Sequence, residues 1–281
     1  MNLEAAIEAN VSAALAEDLG ACDLTALLAP DQPARARVIC REPAVLCGSA
    51  WFEACMRRLD PGVRIDWRVR DGERVTADTL LCTIEGRSRA LLSGERCALN
   101  FLQLLSAVAT TTRRYADAVA GTRAAILDTR KTLPGLRVAQ KHAVLAGGGS
   151  NHRMGLWDAI LIKENHITAA GGVSAALHAA ASYAARAQWV QIEVETLEQL
   201  REAVNAGAKM VLLDNMGLET MREAVRWTAG RALLEASGGI SLDNVRAIAE
   251  TGVDRISIGA LTKDIRAIDL SMRFEQDTPD L

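Results

Sequence analysis

Apolar side chains fall at Leu3, Ile7, Val11 and Leu15, with acidic and small residues between them. A four-residue spacing keeps one stripe on one side of a helix, so this segment predicts an amphipathic helix that Gly20 stops. The period then changes. From Ala34 to Gly86 the short runs ARARVIC, VRIDWRV and TLLCTIEG are separated by turn pairs such as Pro61-Gly62 and Asp71-Gly72. They predict a mainly antiparallel sheet with one helix near residues 49 to 59. From Ser88 to Ala120 there is no proline and the apolar periodicity is long. That stretch predicts one long helix, or two abutting ones, leading into a second domain.

Beyond residue 120 six β-type runs alternate with alanine-rich helical segments: AAILD (124–128), AILIK (159–163), VQIEV (190–194), MVLLD (210–214), ALLEAS (232–237) and RISIG (255–259). The last four begin about 20 residues apart, close to the minimum for a parallel crossover. Nearly continuous apolar strands imply burial on both faces, as in a barrel or a doubly wound sheet. The polar residues select the barrel. Asp128 with Arg130 and Lys131, Lys163, Glu193 with Glu195, Asp214, Ser237 and Gly259 all stand at or just past strand ends. In a parallel barrel those ends open on one face. With six strands visible, the barrel is expected to be incomplete.

Composition narrows the partners. The chain has 281 residues, 49% hydrophobic and 24% charged, with a formal net charge of -3. That balance gives no reason to expect nucleic acid or an anionic membrane as the main partner, so an anion site must come from local clustering. The N-terminal segment lacks the basic start and apolar run of a signal peptide, and no stretch has the roughly 18 apolar residues of a membrane span. A cytoplasmic protein is expected. All six cysteines lie in the first 97 residues without a C-x-x-C pair or an adjacent histidine, which predicts reduced, mostly buried thiols and no zinc site.

Four constellations carry candidate chemistry. In DTRKTLPGLR (128–137), Arg130 and Lys131 follow a strand. A rigid guanidinium fork beside a mobile ammonium suits a ligand with carboxylates and phosphates, although adjacent cations are also common in a solvated turn. In GGGSNHRMGLWDAILIKENH (147–166), a triple-glycine turn precedes His152 and Arg153, and Lys163 closes a strand. Alone, the glycines read as a flexible loop, His152 as a surface histidine and Arg153 as an ion-pair partner. Lys163 should face the barrel mouth. Seven Lys/Arg stand against three Asp/Glu between residues 121 and 166, which points to an anionic substrate.

The third constellation is acidic. Glu193 and Glu195 share a side of one strand and Asp214 ends the next, so they either hold a metal, oppose a developing positive charge, or pair with Lys163 and the arginines. The fourth comprises Ser237-Gly238-Gly239, with Ser241 at a helix start, and Ser257-Ile258-Gly259-Ala260. Two glycine-rich turns on the last two strands suit a phosphate cradle.

EDLGACDLT (17–25), ERCALNFLQLLSAVAT (95–110), DTRKTLPGLR, GGGSNHRMGLWDAILIKENH, QIEVET (191–196), LLDNM (212–216), EASGGI (235–240) and SIGALT (257–262) resemble, in order and nearly end to end, the quinolinate phosphoribosyltransferase family. The resemblance implies an N-terminal α/β sandwich domain over 1–110, joined by the tail 266–281, and an incomplete parallel α/β (TIM-like) barrel over 111–265. It implies conversion of quinolinate and phosphoribosyl pyrophosphate to nicotinate mononucleotide, pyrophosphate and CO2 in NAD biosynthesis. It also implies Mg²⁺ and a homodimer or higher homo-oligomer.

By the same resemblance, quinolinate contacts come from Arg96, Arg130, His152, Arg153 and Lys163, with Arg96 donated by a neighbouring subunit. Phosphoribosyl pyrophosphate contacts come from Lys131, Glu193 and Asp214, and the phosphate cradle from Ser237, Gly238, Gly239, Gly259 and Ala260. Lys131, Lys163, Glu193 and Asp214 are expected to carry catalysis, with Glu193 and Asp214 serving the metal directly or through water or substrate. One departure, Cys22 where the family often has glycine, is expected to leave the mechanism untouched. Two other enzymatic readings stay open: a related phosphoribosyltransferase acting on another base, and a barrel aldolase or decarboxylase forming a Schiff base on Lys163. A non-catalytic binding protein fits less well, because paired phosphate loops and metal-compatible acids would then have no use.

Overall fold

The computed structural model describes residues 2–275. Its elements are α1 (Leu3–Leu19), β1 (Pro33–Cys40), β2 (Ala44–Val45), α2 (Ser49–Leu59), β3 (Arg64–Trp67), β4 (Arg74–Val75), β5 (Thr79–Arg87) and α3 (Ser88–Ala118). There follow β6 (Ala125–Leu127), α4 (Arg137–Ala146), β7 (Ile160–Ile162), α5 (Glu164–Ala170), α6 (Val173–Ala181), β8 (Val190–Val194) and α7 (Leu197–Asn205). The chain ends with β9 (Met210–Asp214), α8 (Leu218–Thr228), β10 (Leu233–Ser237), α9 (Val245–Ala249), β11 (Arg255–Ser257), α10 (Ala260–Lys263) and β12 (Leu270–Phe274). No helix among the described residues is long and apolar enough to cross a membrane.

The chain divides into two compact units, one of residues 1–111, 133–148 and 264–281, the other of residues 112–132 and 149–263. In the first, an antiparallel sheet runs in the order β12-β1-β5-β3. Strand β1 shows why it forms: Ala36, Val38 and Cys40 are buried, while Arg35 and Arg37 between them reach Glu275 at the surface. This is the period-two alternation of a sheet with one covered face. Helix α2 buries Trp51, Phe52, Cys55 and Met56, and the Phe52 ring meets Trp67 of β3 edge-on at 5.5 Å. Five of the six cysteines are buried and all six are free thiols. Burial pushes Cys55 up to about 12, which keeps it protonated and unreactive at neutral pH.

Where the sequence predicts one continuous barrel segment over 111–265, the structure assigns residues 133–148 to the first unit. The reason is tertiary: α4 packs on α1, and Asn10 Nδ2 donates to Gly135 O at 3.1 Å. Of the tail span 266–281, β12 pairs along β1, and residues 276–281 lie outside the described residues.

The second unit holds a six-stranded parallel sheet ordered β6-β11-β10-β9-β8-β7. Successive strands are neighbours, and the first strand lies beside the last. That is the strand order of a ring with one open seam, an incomplete α/β barrel. At the seam Ser150 bridges β6, its N–H donating to Ile126 O at 2.8 Å and its carbonyl accepting from Asp128 N at 3.2 Å. Helices α5 to α9 pack each on the next. One alternating set of strand residues, Ile192, Val194, Val211, Leu213, Leu234, Ala236 and Ile256, is fully buried apolar surface. The other set carries the polar groups. Cross-strand register places Glu193, Leu212, Glu235 and Arg255 in one row, with Asp214 beside Ser237 one step nearer the strand ends.

In the first unit, α2 starts without a side-chain cap of its own. Gly48 sits at φ 110° with Leu105 only 3.1 Å from where a Cβ would stand. Asp71 supplies the cap instead, accepting from Gly48 N at 2.9 Å and Ser49 N at 3.3 Å. Cys47 and His142 bring ligand-type atoms within 4.8 Å of this carboxylate, yet both of its oxygens already serve the helix. Asp71→Ala should destabilise the protein by about 1–2 kcal/mol in urea unfolding, the usual worth of an N-cap. A change of only a few tenths would contradict that role.

Candidate active site

The parallel strands place their carboxyl ends together, and the loops that follow bring in the rest. Lys163 is the first residue past β7 and caps α5 in an extended conformation, φ −121° and ψ 172°. Its backbone N–H donates to His166 Nδ1 at 3.0 Å, which fixes the turn. Its Nζ reaches Glu193 Oε2 at 3.1 Å. The lysine side chain is 44% exposed and the glutamate 12%, so the pair closes a water-accessible mouth over a partly desolvated acid.

Burial raises the Glu193 carboxyl above its ordinary value; Lys163 pulls it back down, and Asp214 and Glu164 push it further up. Asp214 itself accepts from Asn215 Nδ2 at 2.8 Å. A second carboxylate close enough to disfavour the charge on Glu193 makes this pair compatible with a hard divalent cation or a cationic sugar.

Arg153 is buried, its Nη1 donating to Ala159 O at 3.2 Å. Burial lowers its proton affinity and the neighbouring Arg130 guanidinium lowers it further, while Asp158 and Glu193 oppose the shift. Asp158 also shapes the loop, accepting from Met154 N at 2.6 Å and Gly155 N at 3.1 Å. His152 is likewise buried, with its backbone N–H on Asp128 Oδ1 at 2.9 Å.

The glycine turns have specific geometric work. Gly238, at φ 96°, leaves no room for a Cβ, which would stand 2.0 Å from Asn215 Oδ1. Asn215 is itself left-handed at φ 53°, and its N–H donates to Ser237 O at 2.9 Å. Asp214, Asn215, Ser237 and Gly238 thus form one interlocked edge, and Gly239 continues the left-handed turn at φ 59°. At Gly259 a Cβ would lie 2.9 Å from Lys131 Cδ. Lys131 is anchored there because Thr262 Oγ1 donates to its carbonyl at 2.8 Å and Thr129 Oγ1 accepts from its N–H at 3.0 Å. Ala260 opens α10.

The second unit therefore carries Arg130, Lys131, His152, Arg153, Lys163, Glu193, Asp214, Ser237, Gly238, Gly239, Gly259 and Ala260, tied together by the contacts above. Arg96 stands apart in kind: it lies on α3 in the first unit, 59% exposed, with Glu95 at 4.0 Å. Pattern reading passed over Asn215, Asp158, Gln191 and Glu235. The last two carry a legible signal, since each is a polar residue at an inward position of an otherwise apolar parallel strand.

Family models for the quinolinate phosphoribosyl transferase N-terminal and C-terminal domains match residues 23–106 and 108–273. A probable nicotinate-nucleotide pyrophosphorylase [carboxylating] of Bacillus subtilis (strain 168) is 40% identical over 257 residues, 91% of this chain and 89% of that protein. The nicotinate-nucleotide pyrophosphorylase [carboxylating] of Mycobacterium leprae (strain TN) is 42% identical over 240 residues, 83% of each chain. A solved structure of the nicotinate-nucleotide pyrophosphorylase from Francisella tularensis superimposes with a TM-score of 0.95 at 42% identity, covering 98% of both chains.

The strained acid at the mouth has a measurable signature. A carboxyl raised in the folded state contributes stability below its unfolded value and loses it as pH rises through the folded value. Ionised Glu193 is therefore a burden at neutral pH. Glu193→Gln should raise Tm at neutral pH, because the lost pairing with half-exposed Lys163 is worth little. The gain should shrink as pH falls through the ordinary carboxylate range. A lower Tm at neutral pH, or a gain indifferent to pH, would contradict the assignment.

Proposed function

This chain belongs to the quinolinate phosphoribosyl transferase family and acts as a decarboxylating phosphoribosyltransferase on quinolinate, and we propose that its strand-end cluster carries the reaction with the roles below. The observation that supports this reading most is the pair of guanidiniums, buried Arg153 against Arg130, with His152 next to Arg153 in the chain and Lys163 paired with Glu193, which itself acts on Arg153. So much positive charge in a partly desolvated place suits a ligand with two adjacent carboxylates.

In this reading Arg130, His152, Arg153 and Lys163 hold the two carboxylates of quinolinate. Lys131, lying along Gly259, and the turns at Ser237-Gly238-Gly239 and Gly259-Ala260 receive the phosphates of phosphoribosyl pyrophosphate. The pyridine nitrogen attacks C1 of the ribose as the bond from C1 to pyrophosphate breaks, and the sugar passes through an oxocarbenium-like state. Glu193 and Asp214 face that developing positive charge, and Lys131 faces the negative charge gathering on pyrophosphate. The nitrogen, now cationic, draws in the electron pair left when the bond from C2 to its carboxylate breaks. CO2 departs, C2 takes a proton, and nicotinate mononucleotide remains. Lys163 guides the departing carboxylate through charge. Its pairing with Glu193 at 3.1 Å fits that use, whereas a Schiff-base lysine must shed its proton.

Glu193 and Asp214 fit Mg²⁺, which prefers one or two carboxylates plus phosphate and water oxygens. When bound, the ion supplies neutralisation of the pyrophosphate charge. We place the protein in the cytoplasm, where its six free thiols and its soluble substrates are compatible with the surroundings.

Quinolinate should exceed nicotinate in kcat/KM by on the order of 10⁴, because the smaller acid forgoes the hydrogen bonds that the second carboxylate makes to this partly desolvated cationic cluster. Steady-state assays with phosphoribosyl pyrophosphate and Mg²⁺ decide this, and equal efficiency on both acids would refute the assignment of the cationic cluster.

For the assembly, we propose a homodimer or higher homo-oligomer in which Arg96 serves the active site of a neighbouring subunit. Its exposure on α3, with Glu95 only at the 4.0 Å limit, leaves it able to do so. A two-fold interface makes each subunit donor and acceptor. Arg96→Ala and Lys163→Ala proteins should each be nearly inactive, yet after subunit exchange their mixture should regain activity at sites that receive both intact residues. Confirmed exchange, by mass, without recovery would overturn the trans arrangement.

A further inference from the structure

In the inward-facing row of Glu193 and the row beneath it lie two polar residues, Glu235 and Gln191, that the division of labour above does not use. Glu235 has no exposed surface and Gln191 is 1% exposed. Leu212 occupies the same row between Glu193 and Glu235, so an apolar side chain fits there. A buried carboxylate in such a row is costly unless cations and hydrogen bonds hold it.

Glu235 Oε2 accepts from Gln191 Nε2 at 3.1 Å and lies 3.6 Å from Nε of Arg255, its directly paired neighbour on β11. Its Oε1 stands 3.6 Å from His152 Nε2. Gln191 Oε1 lies 3.0 Å from that same ring nitrogen. The ring is also fixed against Trp189, edge-on at 4.8 Å and 83°.

Chemistry decides which way these bonds run. An ionised carboxylate only accepts, so Gln191 turns its NH2 toward Glu235 and its carbonyl oxygen toward His152. A carbonyl oxygen also only accepts, so Nε2 of His152 must carry a hydrogen. Any change of protonation is thereby confined to Nδ1. We propose that Glu235 and Gln191 are positioning residues, a buried relay that keeps a proton on His152 Nε2 and holds the ring in one orientation, so that the acidic substrate meets Nδ1 and is held there by the imidazolium that carries the second proton. The substrate half of this proposal rests on the role given to His152 above; the tautomer half does not. The parallel is with histidine ligands elsewhere, whose orientation and tautomer are set by the group behind them.

Long-range proton–nitrogen NMR of the imidazoles, in the full-length ligand-free protein above the ordinary imidazole range, reads the tautomer directly. The chain has four histidines, and His152→Asn identifies the signal. The wild type should show His152 protonated at Nε2 alone. Glu235→Gln is isosteric but lets both amides rotate, so Gln191 becomes able to present its NH2 to the ring. In that variant the Nδ1–H tautomer should appear, and KM for quinolinate should rise on the order of tenfold, because a ring that faces an NH2 at Nε2 stays neutral and its hydrogen bond to a carboxylate loses the assistance of charge. KM for phosphoribosyl pyrophosphate should hold. If circular dichroism shows Glu235→Gln to be misfolded, Gln191→Met, close in size and unable to link the two groups, carries the test with the same expected signature. A tautomer unchanged in the folded variants, or a wild type protonated at Nδ1 alone, overturns the proposal. A wild type inactive on quinolinate overturns the functional reading instead, and the ring spectra still decide the relay.

Discussion

The site is organised around a repulsion. Arg153 is buried where both desolvation and the Arg130 guanidinium work against its charge. Folding alone does not relieve this, since Asp158 and Glu193 oppose it only in part and Asp158 is also engaged with backbone amides. An anion with two carboxylates offers what the fold leaves short, and it gains most where water is excluded. Glu193 carries the complementary burden, an acid held partly out of water beside Asp214.

The arrangement follows from strand register more than from any loop. Because parallel neighbours point the same way, the pairing of β8, β9 and β10 brings Glu193 level with Leu212 and Glu235, and Asp214 level with Ser237. A one-residue slip in any strand would turn its polar set toward the helices. The glycine turns then finish the mouth where a side chain has no space, at Gly238 against Asn215 and at Gly259 against Lys131.

Much of this was legible in the sequence because it is local. Strand and helix periods located β6 to β11 within a residue or two, and a polar residue closing an apolar run marked Lys163, Asp214 and Ser237. What escaped depends on distant partners. His152, Gln191 and Glu235 meet across 39 and 44 residues of chain, and no period in one strand announces such a meeting. Helix α4 looks from its sequence like any barrel helix, and its contacts with α1 and with residues such as Trp51 assign it to the first unit. Asn215 adopts a left-handed conformation that its residue type permits but does not require. The role proposed for the exposed Arg96 belongs to an assembly, and no pattern within one chain specifies an assembly.

If the buried Arg153 guanidinium beside Arg130 is the feature on which the site depends, calorimetric titration of quinolinate into the wild type and into Arg153→Met tests it most directly. Methionine fills similar space without charge. The account predicts that binding to the wild type weakens with added salt, and that Arg153→Met binds quinolinate at least tenfold more weakly, about the worth of one charged hydrogen bond, while melting no lower than the wild type. Salt-independent binding that survives Arg153→Met unchanged would contradict it.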